Sequence, residues 1–303
     1  MGDFLIVGEA LVDIVEQDGV PTTEHPGGSP ANVALGLARL GHHPHLLTRL
    51  GTDRRGETVR THLAASGVRL LPGSRTPDRT STATARLDST GVASYDFDLD
   101  WRLPEDVPVP PVDAVHTGSI AAFLPPGGDA VLDLIRRVAG SATVSYDPNA
   151  RPGLMGDPAA ARHRVETFVG LADLVKVSDE DLAWLAPGED PAAVAADWLA
   201  RGPAAVVVTR GPDGAFAICA AGTVQVAAPE ITVVDTVGAG DAFTAALLDH
   251  LATAELLGAD RREQLHRIET AELAAALDRA VRISALTCTR PGADPPSRAE
   301  LDS

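Results

Sequence analysis

Residues 233–243 read Val-Val-Asp-Thr-Val-Gly-Ala-Gly-Asp-Ala-Phe, an apolar strand end, a turn of small residues and the start of an amphipathic stretch over 244–251. Such a turn aims free backbone N–H groups at one point, and the positive end of the helix dipole adds to them, so Gly238, Ala239 and Gly240 predict an anion site. Asp241 is physically odd there. A carboxylate beside a bound anion raises the energy unless it has a task, and taking the proton from a hydroxyl that attacks phosphorus is such a task. Two plainer readings compete: Asp241 as a helix cap, and Gly238-Ala239-Gly240 as the start of a dinucleotide fingerprint. The fingerprint is weak, because Phe243 stands where a third glycine belongs and no strand with an acidic end follows about 20 residues on.

An early segment, Gly27-Gly28-Ser29-Pro30-Ala31-Asn32 continuing to Gly41, predicts a helix with small residues on its face and a glycine stop. Asn32 reads either as a polar contact or as an N-terminal cap, and Asp13 before it as a ligand-facing residue or a strand-end turn residue. The sequence Asp147-Pro148-Asn149-Ala150-Arg151-Pro152 closes another strand, and Arg151 offers a planar fork of donors suited to a sugar oxygen, a carboxylate or a phosphate. The chain's single lysine, Lys176, lies in Leu-Val-Lys-Val-Ser without glycines, which excludes a Walker A loop. No HExxH or GxSxG occurs, so zinc peptidase and serine hydrolase lack their minimum parts. His42, His43 and His45 around Pro44 are expected to form a loop and a chance cluster rather than a metal site.

The elements that must position these residues are legible in outline. Short apolar runs alternate with helical patterns through residues 114–209, which predicts a mostly parallel sheet covered on both faces by helices. Residues 80–87 and 92–99 break that rhythm: they alternate polar and apolar around Asp88-Ser89-Thr90-Gly91, a hairpin signature. With residues 13–25 they predict a small β lid, returning through the Pro-rich stretch 103–111. A chain of 303 residues with 45% apolar content can bury a large core. Forty-two acidic against 25 basic residues give a net charge of −17, which repels phosphate backbones and anionic lipid and argues against nucleic-acid and membrane partners. No basic region precedes the apolar stretch within residues 1–7, and Cys219 and Cys288 form no CxxC pair, so the expectation is a cytoplasmic protein with reduced thiols.

The two glycine-rich segments, in this order and about 200 residues apart, resemble those of the ribokinase-like (phosphofructokinase-B type) carbohydrate kinases, and Asp147-Pro148-Asn149-x-Arg151 resembles the fructokinase branch of that family. The resemblance runs over nearly the whole chain. It implies a single three-layer α/β/α sandwich domain over 1–303, with a lid from about 13–25 and 80–112. The implied reaction moves the γ-phosphoryl group of ATP, with Mg2+, to a sugar hydroxyl; fructose comes first and 2-keto-3-deoxygluconate second. An NAD-dependent oxidoreductase and a catalytically silent sugar-binding protein are the alternatives from other classes.

By the same resemblance Asp241 is the base and Gly238, Ala239 and Gly240 form the anion hole. Asp13, Gly27, Gly28, Asn32, Phe97, Asn149 and Arg151 face the sugar, while Lys176, Ser178, Thr209, Gly211, Gly214 and Cys288 lie on the nucleotide side. Asp181 is implied to reach Mg2+ indirectly, and Asp235 with Val237 to hold a K+ ion. Two departures matter: Val281 stands where relatives often carry an adenine-contacting Asn, and the lid segment 95–98 lacks the basic residue that often follows an aromatic in fructokinases and keto-acid kinases; its acidic residues are expected to disfavour a sugar acid by like-charge repulsion, which puts fructose first. Exposed lid edges invite pairing with a second copy, so a homodimer through the lid is expected.

Overall fold

Phe4, Leu5, Ile6 and Val7 are all shielded from solvent, as are Val144, Val175 and the run Val206, Val207 and Val208. A strand buried on both faces needs a partner layer on each, and alternate residues divide between two cores. Phe4, Ile6 and Val207 pack on one side with Leu35, Phe243 and Leu277, whereas Leu5, Val7, Val206 and Val208 pack on the other with Ile135, Phe168 and Trp198. The result is the expected three layers.

The computed structural model describes residues 1–17, 20–87, 93–104 and 107–302. In chain order its first elements are β1 (Asp3–Val7), β2 (Leu11–Gln17), β3 (Val20–Gly27), α1 (Ser29–Arg39), β4 (His43–Leu47), β5 (Leu50–Gly51), α2 (Arg54–Ala65), β6 (Arg69–Leu70), β7 (Arg75–Thr76), β8 (Thr82–Leu87) and β9 (Ala93–Asp98). There follow β10 (Ala114–Gly118), α3 (Gly127–Val138), β11 (Thr143–Asp147), α4 (Pro152–Met155), α5 (Pro158–Val169), β12 (Leu174–Ser178), α6 (Asp179–Leu185), α7 (Pro191–Leu199) and β13 (Ala205–Thr209). The chain closes with β14 (Ala215–Cys219), β15 (Gly222–Val226), α8 (Ala239–Thr253), α9 (Arg262–His266), α10 (Thr270–Cys288) and α11 (Arg298–Leu301).

The nine-stranded sheet runs β15-β14-β13-β12-β11-β10-β1-β4-β6. It is parallel from β13 to β6 and antiparallel only at β13–β14–β15. The strand order reverses direction at β1, and a crevice at the carboxyl ends of strands beside such a reversal is where open α/β sheets bind ligands. The residues that follow β1, β10, β11, β12 and β13 share that edge.

A second sheet, β3-β2-β8-β9, supplies the small layer. Its hairpin strands β8 and β9 lie where the alternation placed them; the turn residues 88–92 fall outside the described residues, as do 105 and 106 in the Pro-rich stretch. Register puts His25, Asp13, Ala83 and Phe97 in one row across the four strands, hence on one face of this sheet. On β2 the neighbouring Val12 and Ile14 turn into the core, so Asp13 faces the opposite way.

Two local expectations are corrected. Val233 and Val234 do not end a strand: residues 227–238 carry no strand, and Val233 and Val234 are 58% and 61% exposed. An apolar pair with no neighbouring strand to bond has no sheet to join, and its N–H groups go elsewhere, Val234 N–H to the carbonyl of Cys288 at 2.9 Å. His43-Pro44-His45 is not a loop either but the start of β4, with Pro44 paired to Phe4. His42 is buried, its Nε2 2.9 Å from Asp249 and its Nδ1 accepting the Gly2 N–H at 2.9 Å. Among the described residues no group of three or more acidic, His or Cys side chains could hold a metal ion.

Candidate active site

Asp241 stands in the first turn of α8 and is 7% exposed. It does not cap the helix. The cap position is Gly238, in the left-handed region at φ 76°, and both oxygens of Asp241 turn instead to the start of α1: Ser29 Oγ donates to Oδ1 at 2.6 Å and Asn32 Nδ2 to Oδ2 at 2.8 Å. Asn32 is likewise no cap, since Gly28 holds that position of α1 and the Asn32 N–H bonds to the Gly28 carbonyl at 2.9 Å. The N-termini of two helices from opposite ends of the chain therefore meet at one carboxylate. They can approach because small residues line their contact: a Cβ on Gly36 of α1 would stand 2.7 Å from Ala245 Cβ of α8.

The turn ahead of α8 is tied down from several sides. Ala242 N–H bonds back to the Gly238 carbonyl at 2.8 Å and Ala239 N–H to the Thr236 carbonyl at 3.2 Å, which leaves the N–H groups of Gly240 and Asp241 as those a helix start keeps open for an anion. Ser284 of α10 donates to the Ala239 carbonyl at 2.9 Å. Asp235 accepts the N–H groups of Val237 at 3.0 Å and Gly292 at 2.8 Å, which fixes the loop from below.

Lys176 points into the same place from the sheet. Its ammonium is buried on β12, 3.0 Å from Asp147 Oδ2, and a Cβ on Gly240 would stand only 3.0 Å from Nζ. Glycine at 240 leaves room for that charge. Asp147, Asp181 and Asp241 all raise the proton affinity of Lys176 against the opposing effect of burial, which is the largest single influence. Asp147 is raised to about 6, by burial first.

The loop after β11 turns on Asn149, a non-glycine residue at φ 39° whose N–H bonds to Asp147 Oδ1 at 3.1 Å. Arg151 is exposed, and its Nη1 donates to the Asn149 carbonyl and side chain and to the Ala150 carbonyl. Both oxygens of Asp181 are engaged by backbone: Oδ1 accepts the Ala150 N–H at 2.9 Å and Oδ2 the Ser178 N–H at 3.3 Å, while Ser178 Oγ accepts from Asp181 N–H at 3.0 Å. This capping box at α6 makes Asp181 the tie between the Asp147–Arg151 loop and the end of β12.

On the lid, Asp13 Oδ2 lies where a Cβ on Gly27 would be, 1.9 Å away, so glycine at 27 admits the carboxylate. Burial raises the Asp13 pKa to about 6, with Arg151 and His25 opposing and Asp241 adding to it. Phe97 is half-buried on the same face. On the other side of the crevice, Thr209 ends β13 and its Oγ1 lies 3.5 Å from the Val177 carbonyl; Gly211 is exposed at φ 50° and Gly214 buried at φ 83°. Cys288 ends α10, half-buried, with its thiol pushed up by burial and by Asp235. Val281 is packed in the core and presents nothing to the crevice.

Sequence reasoning missed three residues, among them Asp147, the buried partner of Lys176, which it quoted in a motif without a role. Ser29 was visible only as part of a motif, and Glu9 not at all. Glu9 follows β1, is 6% exposed, and has its pKa raised to about 7, chiefly by burial. A charged residue straight after an apolar strand was the available signal.

A buried carboxylate bonded between two helix starts, a large mostly parallel sheet between helix layers and a small four-stranded side sheet make up a ribokinase-like fold. The comparisons give the family: residues 2–300 match the model described as pfkB family carbohydrate kinase, and the chain belongs to that family. A fructokinase of Rhizobium leguminosarum bv. trifolii is 35% identical over 264 residues, covering 84% of this chain and 81% of the relative. A fructokinase of Escherichia coli is 32% identical over 317 residues, covering 98% and 97%. The crystal structure of a fructokinase double mutant from Vibrio cholerae O395, in a form with fructose, ADP and potassium ion bound, superimposes with a TM-score of 0.83 at 28% identity, over 100% of this chain and 97% of that one.

Proposed function

We propose that this PfkB-family kinase transfers the γ-phosphoryl group of ATP to a hydroxyl of fructose. The observation that carries the reading is Asp241: a buried carboxylate at a helix N-terminus, its two oxygens fixed by Ser29 and Asn32, between the lid row and the open N–H groups of α8. A hydroxyl brought to Asp241 loses its proton to the carboxylate as it attacks, and the helix start with the Lys176 charge beneath Gly240 neutralises the transferring group. Most of the acceleration comes from positioning, because a loose phosphoryl transition state needs little covalent help.

Asp13, Asn32, Phe97, Asn149 and Arg151 are the acceptor residues in this reading, with Gly27 and Gly28 giving room. Thr209, Gly211, Gly214 and Cys288 border ATP, and Lys176 and Ser178 close its phosphate end. The segments 13–25 and 80–112 act as the lid, which excludes water as a competing acceptor when it closes. Glu9 and Asp13 beside a single Arg151 disfavour a sugar acid by like-charge repulsion.

The absence of a three-ligand cluster among the described residues fits Mg2+, which is commonly held by substrate phosphates and water with one or two carboxylates. Asp181 is the residue that would orient those waters; the ion would neutralise phosphate charge. Asp235 keeps acceptor capacity beyond its two N–H bonds, so its carboxylate and the carbonyls near Val237 suit a K+ ion that would order the turn. The deciding experiment is phosphorylation of a sugar panel including fructose, ribose and 2-keto-3-deoxygluconate with Mg-ATP. Turnover strongest with fructose supports the reading, and preference for another acceptor replaces it.

A further inference from the structure

We infer, on the reading of Asp241 as the base, that Ser29 is a positioning residue for phosphoryl transfer: its hydroxyl holds the inner oxygen of Asp241 and so turns the other oxygen, Oδ2, to the acceptor hydroxyl.

A serine at the start of a helix ordinarily caps it. Ser29 does not, because the cap position belongs to Gly28 and no side chain caps α1. Glycine is required there: Gly28 lies at φ 102°, and a Cβ on it would stand 2.5 Å from the Glu9 carbonyl oxygen. Ser29 is thereby moved into the first helical position. Its hydroxyl is not spent on the helix and donates instead to Asp241 Oδ1 at 2.6 Å, a length typical of a hydroxyl bonded to a charged oxygen.

The two donors on Asp241 are not equivalent. Ser29 is 9% exposed and its bond to Oδ1 is buried, whereas Asn32 is half-buried and its bond to Oδ2 is only partly covered. Oδ1 therefore lies on the protein side and Oδ2 on the crevice side. A carboxylate oxygen accepts more than one bond, so Oδ2 keeps a lone pair for an incoming hydroxyl. The Asn32 amide can pass to an entering sugar; Ser29 stays with the base. Without Ser29 the carboxylate is held at Oδ2 alone, and the terminal torsion of an aspartate is soft enough to let it turn.

The holder is itself rigid. Pro30, next in the chain, meets Gly8, where a Cβ would stand 2.2 Å from the proline ring, and Gly36 further along α1 meets Ala245 of α8. Close-packed contacts of this kind keep α1 from sliding, so Ser29 Oγ holds its place against Asp241.

The test measures kcat, KM for fructose, ATP affinity and melting temperature in wild type, Ser29→Ala, Asp241→Asn and the double variant. Ser29→Ala should lower kcat about tenfold, as loss of orientation does, with KM for fructose and ATP affinity within about twofold of wild type. In the Asp241→Asn background no base is left to turn, and the same change should cost less than about twofold more. A Ser29→Ala kcat within about twofold of wild type, or an equal loss in both backgrounds, overturns the inference, the second because it makes Ser29 a packing residue of α1. Ser29→Cys keeps the size with only a weak donor and must lose turnover as Ser29→Ala does. Wild-type turnover in Ser29→Cys overturns the inference, and this variant decides alone should Ser29→Ala fail to fold. The base reading fails separately, when Asp241→Asn itself keeps its turnover, and takes the inference with it; a collapsed Asp241→Asn beside an unchanged Ser29→Ala removes Ser29 alone. If wild type does not turn over fructose, the fructose reading falls, and the same set is compared with the panel sugar that is phosphorylated.

Discussion

The two halves of the crevice are built differently. On the side proposed for the acceptor, Glu9, Ser29, Asn32 and Asp241 are buried or half-buried, and each is bonded to a neighbour from another element. On the side proposed for the donor, Val233, Val234 and Val237 are exposed, as is Leu286 of α10, and Gly211 stands in the open. In the proposed reading the acceptor half is held by its own hydrogen bonds, and the donor half is an exposed apolar surface. The contrast follows from chemistry: hydroxyl attack needs orientation within a fraction of an ångström, while a planar base needs mainly apolar area to cover.

The sharpest way to break the acceptor half is Asp241→Asn. The amide fits, with its oxygen toward Asn32 Nδ2 and its nitrogen toward Ser29 Oγ, so melting temperature and ATP affinity should hold while kcat falls on the order of 10² to 10⁴. A folded variant keeping more than about a tenth of wild-type turnover would remove Asp241 from the base role.

Next in size is Lys176→Met. It leaves Asp147 buried without its partner, the two side chains being 7% and 3% exposed, so chemical denaturation should show a loss of about 3–5 kcal/mol. Adding Asp147→Asn should return much of it; no recovery in the double variant would mean the lysine's value lies in the anion turn alone.

Glu9 makes stability depend on pH in a direction opposite to most carboxylates. Its pKa is raised from 4.5 in the unfolded chain to about 7 when folded. Below the unfolded value both states hold the proton; between the two only the folded state does, so the stabilisation present at low pH is lost as pH rises to 7. Relative to Glu9→Gln, wild type should lose up to ~3 kcal/mol over that interval. Parallel curves for the two proteins would contradict the burial of this carboxyl.

The smallest effect tests the donor half. Val233→Ser with Val234→Ser should leave stability within about 0.5 kcal/mol, since both side chains are already in solvent. KM for ATP should rise about threefold to tenfold if ATP covers them, at roughly 1 kcal/mol of lost apolar burial. Unchanged ATP affinity would place the base elsewhere.

The sequence by itself determined the layers, because buried parallel strands read as unbroken apolar runs, and it determined the two glycine-rich segments, because only small residues permit a helix start open to an anion. It also carried the hairpin strands of the lid through their alternation. Tertiary structure decided what those segments meet. That Asp241 and Asn32 are partners rather than two helix caps depends on α1 and α8 packing against each other from 209 residues apart. That the only lysine underlies Gly240 depends on β12 lying beneath α8. Val233 and Val234 read as a strand because local pattern cannot show whether a neighbouring strand exists to accept its hydrogen bonds. Glu9 stayed hidden for the same reason: its burial, its raised proton affinity and its acceptance of the Ala121 N–H arise from elements far along the chain, and no spacing in the sequence encodes a contact made only when they close over it.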